Sequence, residues 1–460
     1  MPSGERWPGG AWSRRGTLRH GVAIVGALGV VLALTGCNSD SGDGGGGGEV
    51  KAGCESFADY GTFDGASVNV YSSIRDIEAE RFEESFKQFE DCTGIDIVWE
   101  GTGEFEAQLQ VRVDGGNAPD IATIPQPGLL KTLVDKGAVK PAAEKVKTQS
   151  EANYPKDWLD YGTVAGTFYA PPLGANVKSF VWYSPKTFTE KGWQIPTTWA
   201  ELKTLSDTIA GTGIKPWCAG IESGDATGWP ATDWVEDLVL RTAGTEVYDQ
   251  WVTHEVPFNA PQIVTAVDEA GSILKNDKYV NGGFGGVKSI ATTAFQDAGL
   301  PILDGKCALH RQASFFANQW PEGTKVAEDG DVYAFYLPGQ DTSSKPVLGG
   351  GEFLAAFNDK PETQAVQLYF GSESWVNAKA KIGDWFTANN KLDVANVANP
   401  IDKLSVQLLQ DPETVFRFDG SDMMPGAVGA GSFWKGMTDW ITGKSTADTL
   451  KYIEDSWPKS

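Results

Sequence analysis

The sequence predicts an α/β protein of two lobes, and three observations predict it. Residues 67–124 alternate short apolar strands with amphipathic helices at the spacing of a parallel-sheet unit. About 400 residues follow a glycine-rich stretch at 38–48, more than one ordinary core accommodates. The texture then changes past residue 170, with an apolar strand at 178–183 and a helix rich in Trp, Val and Leu after Pro230.

The elements can be justified in order. Residues 67–71 (SVNVY) read as a buried strand, and 76–92 as a helix with Ile77, Phe82, Phe86 and Phe89 near helical spacing. Gly94 stops that helix. Residues 95–99 (IDIVW) are a second strand, about 104–113 a second helix, and 120–124 (DIATI) a third strand. Further on come a strand at 178–183, a helix at 199–210 opened by Pro196-Thr197-Thr198, and a buried stretch at 214–220. The polar loop Ser223 to Pro230 runs into another helix. A strand within 303–316, a strand at 332–337 and a hinge-like Gly349-Gly350-Gly351-Glu352 follow, and the remainder is helical, with a loop at Asp422-Met423-Met424-Pro425. No internal repeat occurs.

Ligands of such sheets bind beyond the carboxyl ends of the strands. Those ends carry Ser72, Ser73 and Arg75, then Glu100, Gly101 and Thr102, then Pro125, Gln126 and Pro127. Any one of these suits a solvated loop. Three loops dressed alike, without the glycine-rich backbone and lysine a phosphate site wants, point to a polar neutral ligand.

The N-terminus carries an address. Arg14, Arg15 and Arg19 precede about 13 apolar residues, Val22 to Leu34, and Leu34-Thr35-Gly36-Cys37 follows. A basic start, a short apolar core and a small-residue cleavage site form an export signal over 1–36, too short for a span of ~20 residues. The pattern resembles a bacterial lipobox, which implies cleavage before Cys37, lipidation of its thiol, and anchoring to the outer face of the cell membrane by lipid alone. Residues 37–53 then act as a flexible tether. Ser13-Arg14-Arg15 with Leu18 loosely resembles a twin-arginine signal, so the export route stays open.

Charge excludes whole classes of partner. The chain carries 38 basic and 61 acidic side chains, and without residues 1–36 the balance is 34 − 60 = −26. Such a body is repelled by nucleic acid and by anionic lipid, and we expect a monomer. Four cysteines remain after Cys37, an even number that suggests disulfides in an exported chain. Three connectivities are possible, and the sequence-local one is Cys54–Cys92 with Cys218–Cys307. No CxxC spacing occurs and only His254 and His310 remain, so no metal and no cofactor is expected.

Catalytic signatures are missing: no HExxH, GxSxG or GxGxxG occurs. Gly443-Lys444-Ser445 imitates the end of a phosphate loop, but Thr438 stands where that motif needs glycine. Tryptophan is the positive signal. Seventeen occur, fifteen of them after Trp7 and Trp12. Sugars offer apolar C–H faces and polar edges, so flat aromatics with a polar rim hold them. Trp229, Trp385 and Trp434 lie in loops beside polar residues, whereas Trp99, Trp193, Trp199 and Trp251 sit in periodic segments and read as core.

Taken together, the first strand–helix–strand, Gly115-Gly116-Asn117-Ala118-Pro119-Asp120-Ile121, Pro196-Thr197-Thr198-Trp199 with Glu201, and Gly305-Lys306-Cys307-Ala308 before His310-Arg311-Gln312 resemble a known family. The chain is similar to the solute-binding lipoproteins of bacterial ABC importers for sugars, extracellular solute-binding protein family 1, which includes maltodextrin-binding proteins. The resemblance implies two α/β lobes of periplasmic-binding-protein type with a hinge, a sugar or oligosaccharide in the cleft, ABC permease subunits as partners, and closure without catalysis. It implies a first lobe of 54–177 plus 308–347 and a second of 178–307 plus 348–460. Crossovers would fall near Asn176–Lys178, Lys306–His310 and Gly349–Glu352. It implies ligand contacts from Ser73, Arg75, Glu100, Asp120, Gln126, Trp229, Asp233, Arg311 and Glu352, beside the aromatics Trp385 and Trp434. The Cys218–Cys307 pair resembles a bridge of α-glucoside-binding members. Rival readings are a secreted carbohydrate-active enzyme and a peptide-binding or adhesive lipoprotein.

Overall fold

A computed structural model describes residues 51–343 and 345–459. The export signal, Cys37 and most of the tether lie outside the described residues. Among the described residues no helix is long and apolar enough to cross a membrane.

The principal elements begin with β1 (Ala66–Ser72), α1 (Asp76–Thr93), β2 (Ile95–Gly101), α2 (Phe105–Asp114), β3 (Ile121–Ile124) and α3 (Pro127–Asp135). The chain crosses through β4 (Asn176–Val177) into β5 (Phe180–Tyr183), α4 (Trp199–Gly211), β6 (Lys215–Cys218), α5 (Trp229–Thr242), β7 (Cys307–Arg311) and β8 (Tyr333–Tyr336). It returns by β9 (Lys345–Gly350) to β10 (Phe353–Ala356), α6 (Pro361–Phe370) and α7 (Glu373–Ile382). Finally β11 (Thr414–Phe418) leads to α8 (Gly420–Met423) and α9 (Trp434–Ile441).

Two four-stranded sheets form the lobes. The first has the order β10-β3-β1-β2, with β1 parallel to β2 and β3 and with β10 antiparallel at the edge. The second has the order β8-β5-β7-β6. A three-stranded sheet, β11-β9-β4, lies where the chain passes between them.

Local rules explain the elements. α1 buries Phe82, Phe86 and Phe89, spaced three to four residues apart, against the first sheet. It ends at Gly94, whose φ of 76° is the left-handed conformation that glycine adopts freely. Ile77 departs from expectation: it is 46% exposed, off the buried stripe. α4 starts where Thr198 accepts a hydrogen bond from the Glu201 amide, while the Glu201 carboxylate accepts from the Thr197 amide at 2.8 Å. Trp99, Trp193, Trp199 and Trp251 all pack in or against the cores.

The expected division of the chain is wrong in its second half. β7 and β8 pair with β5 in the second sheet, and β10 pairs with β3 in the first. Residues 308–347 therefore belong with the second lobe, and the segment with β10, α6 and α7 belongs with the first. Packing gives the reason. Tyr369, Phe370 and Trp375 fill the core around Phe82 and Phe86, and the Trp182 indole donates to the Gln312 carbonyl. Lys306–His310 is accordingly not a crossover but the start of an interior strand. Asn176–Lys178 and Gly349–Glu352 do lie at the passage between lobes, where β4 pairs with β9.

Both sequence-local disulfides form. Cys54–Cys92 ties the N-terminal arm to α1, with Cα atoms 5.3 Å apart. Cys218–Cys307 staples β6 to β7, with Cα atoms 5.7 Å apart.

Candidate functional site

The carboxyl ends of β1, β2 and β3 converge on one cavity of about 170 Å³. Ser73, Ile74 and Glu78 come from the first end, Thr102, Phe105 and Glu106 from the second, and Pro125 and Gln126 from the third. The second lobe faces them with Ala226, Trp229, Phe315, Ser421, Asp422 and Trp434. Asn176, Lys178, Gly351, Glu352 and Asp419 line the passage between the lobes.

Backbone geometry seats the aromatics. Gly228 caps α5 at φ 118°, and a β-carbon there would lie 2.1 Å from the Trp434 carbonyl oxygen. Only glycine lets α5 start against the Trp434 backbone, which brings both tryptophans to the cavity. Trp229 stands edge-on to Phe295 at 5.0 Å, leaving it half-buried, and the Lys178 ammonium is 5.5 Å from its ring. Three buried polar atoms around the cavity have no hydrogen-bond partner among the described residues: Gln126 Oε1, Asn176 Oδ1 and Trp434 Nε1. Buried polar groups are ordinarily satisfied, so these await a partner. The Gln126 amide is oriented by donating Nε2 to Glu106 Oε1 at 2.8 Å.

Beneath the cavity lies a buried ionic floor. Lys178 Nζ meets Asp233 Oδ1 at 3.2 Å, Asp419, and Asp422 Oδ2 at 3.9 Å. Arg311 bridges Asp233 at 3.0 Å and Asp237, and Arg241 pairs with Asp237 at 2.6 Å. Glu236 accepts the amides of Gly420 and Ser421 at 2.9 and 3.2 Å. Burial opposes ionisation of Asp419 and Asp237, but Lys178 beside the one and the two arginines beside the other hold both below the usual carboxylate range. Burial pushes Glu236 and Asp422 well up, with Asp419 adding repulsion. Burial likewise raises Asp233, against the pull of Lys178. Lys178 itself stays well above its ordinary value because its carboxylate partners outweigh burial. Oxygens of Asp233, Glu236 and Asp419 lie within 4.8 Å of one another, and the Lys178 ammonium is the cation that bridges Asp233 and Asp419.

The first-lobe wall, with Glu352 of the passage beside it, carries its own carboxyls. Burial, then repulsion from Glu352, pushes Glu78 up to about 8. Burial pushes Glu352 up to about 7 and raises Glu106. Glu78 and Glu352 thus become donors as well as acceptors near neutral pH.

The sequence pattern of one family, bacterial extracellular solute-binding proteins, matches residues 76–371. The chain belongs to this family. As a member of an extracellular family it is an exported binding protein. It is 38% identical over 414 residues to the osmoprotective compounds-binding protein GgtB of Synechocystis sp. (strain ATCC 27184 / PCC 6803 / Kazusa), covering 89% of this chain and 97% of that protein. It is 37% identical over 409 residues to the α-glucosides-binding periplasmic protein AglE of Rhizobium meliloti (strain 1021), covering 85% of this chain and 87% of that one. Among solved structures, the bacterial solute receptor AcbH superposes with a TM-score of 0.71 at 19% identity, over 85% of this chain and 98% of that chain. A chitin oligosaccharide binding protein gives 0.72 at 16%, over 85% and 97%. The fold is the two-lobed one of these sugar-binding structures.

Within this family fold the eleven sequence candidates divide. Ser73, Gln126, Trp229, Glu352 and Trp434 line the cavity. Arg75 lies behind the wall, its guanidinium near Asp76 and filling the space beside Gly103. Glu100 is taken by Arg112, which donates to it at 2.9 Å and lies over the Tyr71 ring. Asp120 stands at the opposite, amino end of β3, accepting from the Asn69 amide, Asn358 and Lys360 at 2.9, 2.7 and 2.9 Å. Asp233 and Arg311 are one layer down, spent on the ionic floor. Trp385 is a core residue against Trp375 at 5.0 Å, reaching only a small recess shared with Glu78 and Glu352. Sequence reasoning missed Glu78, Phe105, Glu106, Asn176, Lys178, Phe315 and Asp419 as site residues. The usable signal was charge inside apolar runs: Lys178 opens a buried strand region, and Asp419 with Asp422 interrupts a buried C-terminal stretch.

Proposed function

We propose that this protein captures a neutral sugar or oligosaccharide of the α-glucoside class and hands it to an ABC permease. The observation that carries the reading is the pairing of Trp229 and Trp434 with the orphaned Gln126 Oε1 and Asn176 Oδ1 in one interlobe cavity. Flat aromatic faces suit sugar C–H surfaces, and unsatisfied acceptors suit hydroxyls. The name of the Rhizobium relative, an α-glucosides-binding protein, supports the same class.

Each lobe supplies half of the site, so ligand bridging favours the closed form, a population shift between hinge states. No residue in the cavity acts on the sugar. We further propose that residues 1–36 are removed, that lipid on Cys37 tethers a monomer by the permease, and that this tether raises its effective concentration there.

Thermal denaturation of residues 54–460 against maltose, trehalose, sucrose, sugar phosphates and peptides tests the reading. A neutral sugar at ~100-fold excess over Kd stabilises by about 2.7 kcal/mol. Response to peptides alone, or turnover of a sugar, contradicts it.

A further inference from the structure

Gly128 is the second residue of α3, and its backbone is ordinary helix. Alanine suits a helix better than glycine, so helix formation does not explain this residue. A β-carbon at 128 would lie 1.8 Å from the Met424 carbonyl oxygen and 3.2 Å from that of Asp422. Leu129 and Leu130, beside Gly128, belong to the first-lobe core, and Met424 belongs to the second-lobe core. The approach is backbone on backbone, so no side-chain rotation relieves it.

A second approach has the same character. Gly224, in the loop before α5, has φ 59°, and a β-carbon there would lie 2.9 Å from the Gly103 carbonyl oxygen on the loop after β2. Gly103 and Asp422 both line the cavity, so the two glycine contacts flank it.

We propose that Gly128 and Gly224 are closure stops: the lobes shut over the ligand only because these positions carry no side chain. A single methyl at 128 holds the lobes more than an ångström apart and removes the fully closed state. Apparent affinity then falls with the closed fraction. The inference rests on the closure mechanism given under Proposed function.

Gly128→Ala tests it, with Gly211→Ala as control, since Gly211 also sits in a helix and has nothing within 4 Å of an added β-carbon. Spin labels at Asp114→Cys and Lys288→Cys, exposed on the first and second lobes, report the interlobe distance with and without saturating maltose, trehalose or sucrose. The parent and Gly211→Ala gain a short-distance component with the sugar that binds. Gly128→Ala lacks it, binds that sugar at least tenfold more weakly, and keeps the parent's unliganded melting temperature. A short component in Gly128→Ala equal to the parent's overturns the inference alone. So does a lowered unliganded melting temperature or failure to fold, because the contact then exists in every state. A parent without a short component under any condition overturns the inference together with the closure reading.

Discussion

The two faces of the cleft neutralise their carboxyl groups by different means. The floor sets five acids, Asp233, Asp237, Asp419, Asp422 and Glu236, against three cations, Lys178, Arg241 and Arg311. The two left over match the two whose affinity for a proton rises most, Glu236 and Asp422. The first-lobe wall has Glu78 and Glu106 without an ion-pair partner among the described residues, and Glu106 is held by the neutral Gln126 amide. The floor is thus a rigid structural device, while the wall changes charge with pH and with the water that closure expels. Loss of a floor residue strikes stability, and loss of a wall or aromatic residue strikes binding.

The largest expected effect breaks the scaffold of the floor. Cys218→Ser with Cys307→Ser opens a loop of 89 residues between β6 and β7, and β7 carries Arg311. A loop of that size is worth about 4–5 kcal/mol in chain entropy, so denaturant titration should show a loss of that order. Lys178→Met comes next: it leaves Asp419 and Asp233 buried without their ammonium, at about 3–5 kcal/mol, read in the same titration. Trp229→Ala reverses the pattern. It costs about 2 kcal/mol in sugar affinity, roughly thirtyfold by calorimetry, with little change in unliganded stability.

A smaller effect is pH dependence. Burial raises Glu78, Glu106 and Glu352 in this structure; opening of the cleft to water should return them toward the ordinary carboxyl range, so we expect the closed form to hold more protons than the open one. The closed form is therefore favoured at low pH. Affinity falls as pH climbs from the ordinary carboxyl range through about 7 and 8, then levels. Affinities measured between pH 5.5 and 9 check the sign, and a rise with pH breaks the contrast between wall and floor. The smallest effect is Glu100→Gln. Its half-exposed pairing with Arg112 is worth about 1 kcal/mol, and sugar affinity stays at the parent's value.

Much of the wall was legible because its determinants are local. Period and punctuation placed β1, α1, β2 and β3, and strand-end logic named Ser73 and Gln126. The same logic failed at Glu100, and the family resemblance failed at Asp120. Arg112 is 12 residues from Glu100 and Lys360 is 240 from Asp120, and no local pattern reveals such partners. The floor depends on pairings of the same long range, Lys178 with Asp233 and Asp419, 55 and 241 residues away. Assignment of 308–347 to the wrong lobe has a related cause, since an apolar strand reads alike in either sheet. Trp385 and Trp434 looked equivalent as loop aromatics. Only packing separates them: Trp375 covers one, and Gly228 opens a place in the cavity for the other.

Small-angle scattering of residues 54–460, with and without the sugar that stabilises it most, tests the central claim most directly. Capture by closure predicts that the radius of gyration falls on adding sugar, that Trp229→Ala needs far more sugar for the same fall, and that the sugar is recovered unchanged. Binding with an unchanged radius, or recovery of a cleaved sugar, contradicts it.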